Sequence, residues 1–125
     1  MKNSNILIIE DDKNIRELYK TALEAAGLSV LTAENGEVGL KLALEKHPAV
    51  TLLDIMMPGM DGHEVAQKMR LDEWGRHAKI IFLTNFSDAE NVVHAVKEGS
   101  EKYIVKANTE IKEVVNTVRT VMHTG

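Results

Sequence analysis

The chain has 125 residues, 44% apolar and 27% charged, which suits one globular domain whose single core removes roughly two-thirds of the unfolded chain's surface from water. Nineteen acidic residues against fifteen Lys and Arg leave a formal charge of −4, so no basic excess exists to neutralise nucleic-acid phosphates or an anionic membrane. The absence of cysteine removes disulfides, thiolate metal sites and Cys nucleophiles, and no apolar run reaches signal-peptide or membrane-spanning length, so a cytoplasmic protein is expected.

Ile6-Leu7-Ile8-Ile9 predicts a buried strand that ends in the acidic run Glu10-Asp11-Asp12. Ile15, Leu18, Ala22, Leu23 and Ala26 follow at three- and four-residue steps, which predicts an amphipathic helix closed by Gly27 and capped by Asp12. Leu28 to Thr32 predicts a second strand, and Asn35-Gly36 opens a helix carrying Val38, Leu42 and Leu44 up to His47-Pro48. Val50-Thr51-Leu52-Leu53 predicts a third strand ending at Asp54. A loop from Met57 to Gly62 then leads to a short helix from His63 to about Arg70. Lys79 to Thr84 predicts strand four, Val92, Val93 and Val96 mark a helix stopped by Gly99, and Tyr103-Ile104-Val105 predicts strand five. The last helix places Ile111, Val114, Val115, Val118 and Val121 on one stripe behind an Asn108/Thr109 cap. His47, His63, His77, His94 and His123 show no ligand spacing and read as surface or loop residues.

Five short apolar strands in strict alternation with five helices imply an α/β fold: a doubly wound parallel sheet covered on both faces, in three α/β/α layers. No linker or repeat divides the chain, so residues 1–125 read as one domain. Right-handed crossovers place ligands outside the carboxyl ends of the strands. Glu10 and Asp11, Asp54, Thr84 and Lys106 stand at or just past four of those ends. Each has an ordinary explanation: acids after a strand cap the next helix, a β-branched Thr suits a strand end, and a loop lysine is solvated. Taken singly those explanations are the better ones, but the residues together in register outweigh them. Three carboxylates meeting at one rim repel unless a cation sits among them, and oxygen-only donors suit Mg²⁺, with Mn²⁺ able to substitute. Beside such a cation Asp54 can act as a nucleophile toward a phosphoryl group. One phosphoryl oxygen would then coordinate the cation, one pair with the Lys106 ammonium and one accept from the Thr84 hydroxyl.

The segments Ile8-Ile9-Glu10-Asp11-Asp12, Leu53-Asp54-Ile55-Met56-Met57-Pro58-Gly59-Met60-Asp61-Gly62, Leu83-Thr84 and Tyr103-Ile104-Val105-Lys106 resemble the receiver domain of bacterial response regulators, over essentially the whole chain. The resemblance implies a flavodoxin-like five-stranded sheet of order 2-1-3-4-5. It also implies a phosphorylation-controlled switch in two-component signalling, in which Asp54 takes phosphate from a sensor histidine kinase or histidine phosphotransfer protein. By the same matching Asp11 is a direct Mg²⁺ ligand, Glu10 acts through water, and Asp54 and the Met56 carbonyl complete the protein's share. Thr84 and Tyr103 match the pair that moves on activation. The face made by Ala89 to Glu98, Lys102 to Val105 and Thr109 to Met122 would meet a downstream protein, although Val92, Val96, Ile111 and Val115 suit a plain core equally well. The expected protein is not a conventional enzyme. It contacts neither nucleic acid nor membrane directly, is a monomer or a phosphorylation-dependent dimer, and carries no output domain in this chain.

Some positions depart from the family pattern. Ala107 follows Lys106 where the family has proline after a cis bond; a cis bond before a non-proline residue costs about 2.5–4 kcal/mol, which favours a trans turn here. Asn85 stands where a smaller residue is common. Met56 and Phe86 occupy positions that influence hydrolysis of the acyl phosphate, and neither side chain can orient a water, so a long-lived phosphorylated state is expected. Two other readings compete. A phosphatase-like or nucleotidyl-handling enzyme would need an acid where Met56 stands, or a phosphate-cradling glycine loop after the first strand. A receiver-like interaction module that is never phosphorylated is kept open by Ala107 and Asn85.

Overall fold

The computed structural model describes residues 5–84, 102–105 and 109–123, with Lys102, Tyr103 and Val105 as backbone alone. In chain order the elements are β1 (Asn5–Ile9), α1 (Lys13–Ala25), β2 (Ser29–Ala33), α2 (Gly36–Lys46), β3 (Val50–Asp54), α3 (Gly62–Leu71), a 3₁₀ turn (Gly75–His77), β4 (Ile80–Thr84), β5 (Lys102–Val105) and α4 (Ile111–Met122). The helix expected around Val92 to Val96 lies outside the described residues, as does His94. All strand pairs are parallel and the sheet order is β2-β1-β3-β4-β5, the doubly wound order expected. Among the described residues no helix is long and apolar enough to cross a membrane.

The central strands are apolar on both sides because both sides are covered. Ile6 to Ile9 are 0% exposed, and every residue of β3 and β4 is buried. Alternation along each strand sorts the side chains into two cores. Leu7, Ile9, Leu53, Ile80 and Phe82 pack with Ala43 of α2 and with Val65, Ala66 and Met69 of α3. Ile6, Ile8, Leu52, Ile81, Leu83 and Ile104 pack with Tyr19 and Leu23 of α1 and Val114, Val118 and Val121 of α4. Each fully buried large side chain contributes about 1.5–3 kcal/mol relative to exposure.

Helix α1 starts where Asp12 accepts hydrogen bonds from the Asn14 and Ile15 amides at 2.9 and 3.1 Å, as the sequence predicts. It ends in a Schellman motif: Leu28 N–H donates to the Leu23 carbonyl at 3.1 Å, Gly27 N–H donates to that of Glu24 at 2.9 Å, and Gly27 takes φ +88°. Its buried stripe differs from the expected one. Ile15, Tyr19 and Leu23 are four apart and face the sheet, whereas Leu18 lies off that line and is 54% exposed.

Helix α2 differs more. Asn35 caps it through the Val38 amide at 2.9 Å, but its buried residues are Gly36, Gly39 and Ala43, while Val38 is exposed. A Cβ on Gly39 would run into the Ile9 side chain, so the helix lies against β1 at a distance only a small residue permits. Helix α4 is capped at Glu110 rather than at the expected Thr109: the Glu113 carboxylate accepts from the Glu110 N–H at 3.4 Å, an arrangement a glutamate three residues inside the helix can supply. Asn108, the other expected cap, lies outside the described residues. The far end of α4 is held by Lys79, whose Nζ donates to the Val121 and Met122 carbonyls at 2.9 and 3.2 Å. Arg119 ties it to α1 through the Ala26 carbonyl at 2.7 Å.

The 3₁₀ turn was not expected. Arg70 Nη1 donates to the Gly75 and Ala78 carbonyls, both at 2.7 Å, and folds this segment under α3. His47 is exposed and lies flat on Trp74, with ring centroids 4.6 Å apart. His63 is half-buried against Phe82 at 5.4 Å, so the expectation of surface or loop histidines fails there.

Candidate functional site

The register brings the acids together. Ile9 pairs with Leu53 and Asp54 with Leu83, so β1, β3 and β4 finish at one edge of the sheet with Glu10, Asp54 and Thr84 at their tips. Glu10 N–H extends the β1–β2 ladder by bonding the Ala33 carbonyl at 3.1 Å. Its carboxylate is turned back over the loop by the Asp12 N–H, which donates to Oε2 at 3.1 Å. Asp54 Oδ1 accepts from the Met56 N–H at 3.3 Å. After Met56 the loop turns through Gly59, at φ +76°, and Gly62 N–H closes it on the Ile55 carbonyl at 3.0 Å. A side chain at Gly62 would collide with the Asp54 carbonyl, so this glycine is what lets α3 begin directly against the Asp54 backbone.

Carboxylate oxygens of Glu10, Asp11 and Asp54 lie within 4.8 Å of one another. Glu10 is 0% and Asp54 2% exposed, while Asp11 faces solvent. Burying two carboxylates beside a third is unfavourable unless a cation neutralises them, and the donors here are all oxygen, the set that hard divalent ions take. The acidic cluster can therefore hold a metal ion, with Asp11 open to the water side. Thr84, 2% exposed, ends β4 one residue beyond the partner of Asp54.

Glu10, Asp11, Asp54 and Thr84 are thus brought to one rim as the strand ends imply. Met56 follows Asp54 with its side chain 62% exposed. Tyr103 sits in β5 opposite Phe82. Lys106 and Phe86, with the neighbouring Asn85 and Ala107, lie outside the described residues. One residue at the site went unnoticed in the sequence. Arg16, in the first turn of α1, sends Nη1 to the Glu10 carbonyl at 2.9 Å and the Asp11 carbonyl at 3.5 Å. Its only signal is a cation at a helix start, where the dipole disfavours it.

The family model of the response regulator receiver domain matches residues 6–119. The transcriptional regulatory protein AfsQ1 of Streptomyces coelicolor is 40% identical over 102 residues, which is 82% of this chain and 44% of that protein. The transcriptional regulatory protein SrrA of Staphylococcus aureus is 37% identical over 120 residues, 96% of this chain and 48% of its own length. The solved structure of chemotaxis protein CheY4 of Vibrio cholerae matches with a TM-score of 0.90 at 25% identity, covering 96% of this chain and 99% of that one. The chain spans about half the length of the curated relatives it matches. With the fold, the acidic rim and a family match across nearly every element in agreement, the chain belongs to the response regulator receiver domain family.

Proposed function

We propose that Asp54 accepts a phosphoryl group from a histidine kinase or a histidine phosphotransfer protein, and that the acyl phosphate switches the domain between two conformations. The carrying observation is the buried Asp54 carboxylate at the tip of β3, with oxygens of Glu10 and Asp11 within 4.8 Å. An Asp54 oxygen attacks phosphorus, the P–N bond to the donor imidazole breaks, and the electron pair leaves with the imidazole. Mg²⁺ held by Glu10, Asp11, Asp54 and the Met56 carbonyl would supply the positive charge that lets an anionic phosphoryl group approach anionic carboxylates. Thr84 and Lys106 take the remaining phosphoryl oxygens, and movement of Thr84 with Tyr103 carries the change toward β5.

The switch acts in two-component signalling, the setting of its family. The described relatives are transcriptional regulators rather than conventional enzymes, and the chemistry proposed here is limited to self-assisted phosphotransfer and dephosphorylation. Met56 and Phe86 are apolar and cannot themselves orient a water toward the acyl phosphate, which favours a long-lived signal. We place the domain, residues 1–125, in the cytoplasm as a monomer or phosphorylation-dependent dimer. Its output passes to a protein partner rather than to nucleic acid, in keeping with its charge of −4.

Intact mass after incubation with acetyl phosphate tests this reading. Gain of one phosphoryl group that requires Mg²⁺ and is lost in Asp54→Asn is the expected result. No gain in the wild type, together with no binding of BeF₃⁻, would overturn it.

A further inference from the structure

The three residues between β1 and α1 form a cross-braced turn. Asp12 N–H holds the Glu10 carboxylate, the Asp12 side chain caps α1, and Arg16 N–H bonds the Asp12 carbonyl at 2.9 Å. The last brace is the Arg16 side chain, which reaches back across the cap to the Glu10 and Asp11 carbonyls. Both carbonyls sit between the end of β1 and the start of α1, and the Arg16 guanidinium donates to each of them there. No acid stands in the first turn of α1 to offset a cation there, and the helix dipole opposes one, so Arg16 is held in that place by the loop.

We infer that Arg16 is a positioning residue for the cation site: by pinning the Glu10 and Asp11 carbonyls it sets the direction in which their carboxylates leave the backbone. The inference rests on the metal reading above and adds a part to it that touches neither metal nor phosphate. Without the brace, the Glu10 and Asp11 carbonyls lose the bonds that the guanidinium makes to them, and more of the ordering of the two carboxylates is left to the moment a cation binds. A second possibility has the opposite sign. If the guanidinium mattered only as a positive charge near three acids, it would compete with a divalent cation, and its removal would tighten binding.

Calorimetric titration of Mg²⁺ into the wild type, Arg16→Met, Arg16→Lys and Arg119→Met separates these. Arg119→Met serves as the control, because it removes a brace of comparable length from the other end of α1. We expect Arg16→Met to weaken Mg²⁺ binding by about tenfold, the range seen when groups that orient ligands are lost. Arg16→Lys, whose ammonium can hold one carbonyl, falls between, and Arg119→Met keeps the wild-type affinity. Unchanged or tighter binding in Arg16→Met would overturn the proposal, as would an equal loss in Arg119→Met. If Arg16→Met does not fold, wild-type affinity in Arg16→Lys overturns it instead. Wild type that takes up no Mg²⁺ would remove the cation site itself, a failure distinct from that of the brace.

Discussion

The two faces of the sheet are built on different packing rules. On one, α1 and α4 press large side chains, Tyr19, Leu23, Val114, Val118 and Val121, into β1, β3, β4 and β5. On the other, α2 comes against Ile9 of β1 at Gly39 and against Met60 and Val65 at Gly36, and the bulk is supplied by the strands and α3. The first face is stabilised by the volume of its helices. The second depends on how near a helix can come. Substitutions should therefore act in opposite senses on the two sides: truncation harms the first face and enlargement harms the second.

The largest effect is expected from Leu23→Ala, which leaves a cavity under α1 and lowers unfolding free energy by about 2–5 kcal/mol in denaturant titration. A loss below 1 kcal/mol would mean that α1 collapses onto the sheet and that the two faces differ less than drawn. Gly39→Ala comes next. Its Cβ would stand 2.6 Å from Ile9 Cγ1 and 2.8 Å from Cγ2, and the strain, about 1–3 kcal/mol, outweighs the gain in helix propensity. Combining it with Ile9→Val should recover part of the loss. Simple additivity in that double-mutant cycle would show that close approach is not the cause. The smallest effect is a gain. Thr51, 1% exposed, lies on the α2–α3 side of β3 by alternation with Leu53, and its buried hydroxyl has no hydrogen-bond partner among the described residues. Thr51→Val keeps the shape and removes the orphaned hydroxyl, so a gain of about 1 kcal/mol is expected in thermal unfolding. A loss would reveal a partner for that hydroxyl and make this face less purely steric.

The same contrast explains what was legible in the sequence. Continuous apolar strands followed from the chain, their order in the sheet followed from the family resemblance, and the acids at the tips of β1 and β3 followed from the rule that parallel strands deliver ligands to one edge. The α4 stripe was legible because it is made of large apolar residues. The α2 face was not, because glycines carry no hydrophobic signal; Val38 drew attention to an exposed position, and Leu42 to one that covers the core only from its margin. Leu18 misled for the same reason on α1, where hydrophobicity was read in place of angle. The cap of α4 was misplaced because its local bonds come from two glutamates rather than the short polar side chains usually sought. The 3₁₀ turn and Arg16 were invisible because arginines that bond carbonyls look, in sequence, like solvated charges.

The stack of His47 on Trp74 has a spectroscopic consequence. Trp74 is the one tryptophan in the chain, and it precedes the start of β4, whereas the acids follow the ends of β1 and β3. A five-residue strand rising about 3.3 Å per residue separates those two edges by roughly 16 Å. Emission from this indole thus reports on a corner where α2 ends and the imidazole lies against it, far beyond direct contact with any cation or phosphoryl group at the acidic rim. A change in that emission on phosphorylation would be a signal carried through the length of the sheet, and its absence would mark the corner as a fixed frame against which the moving end can be measured.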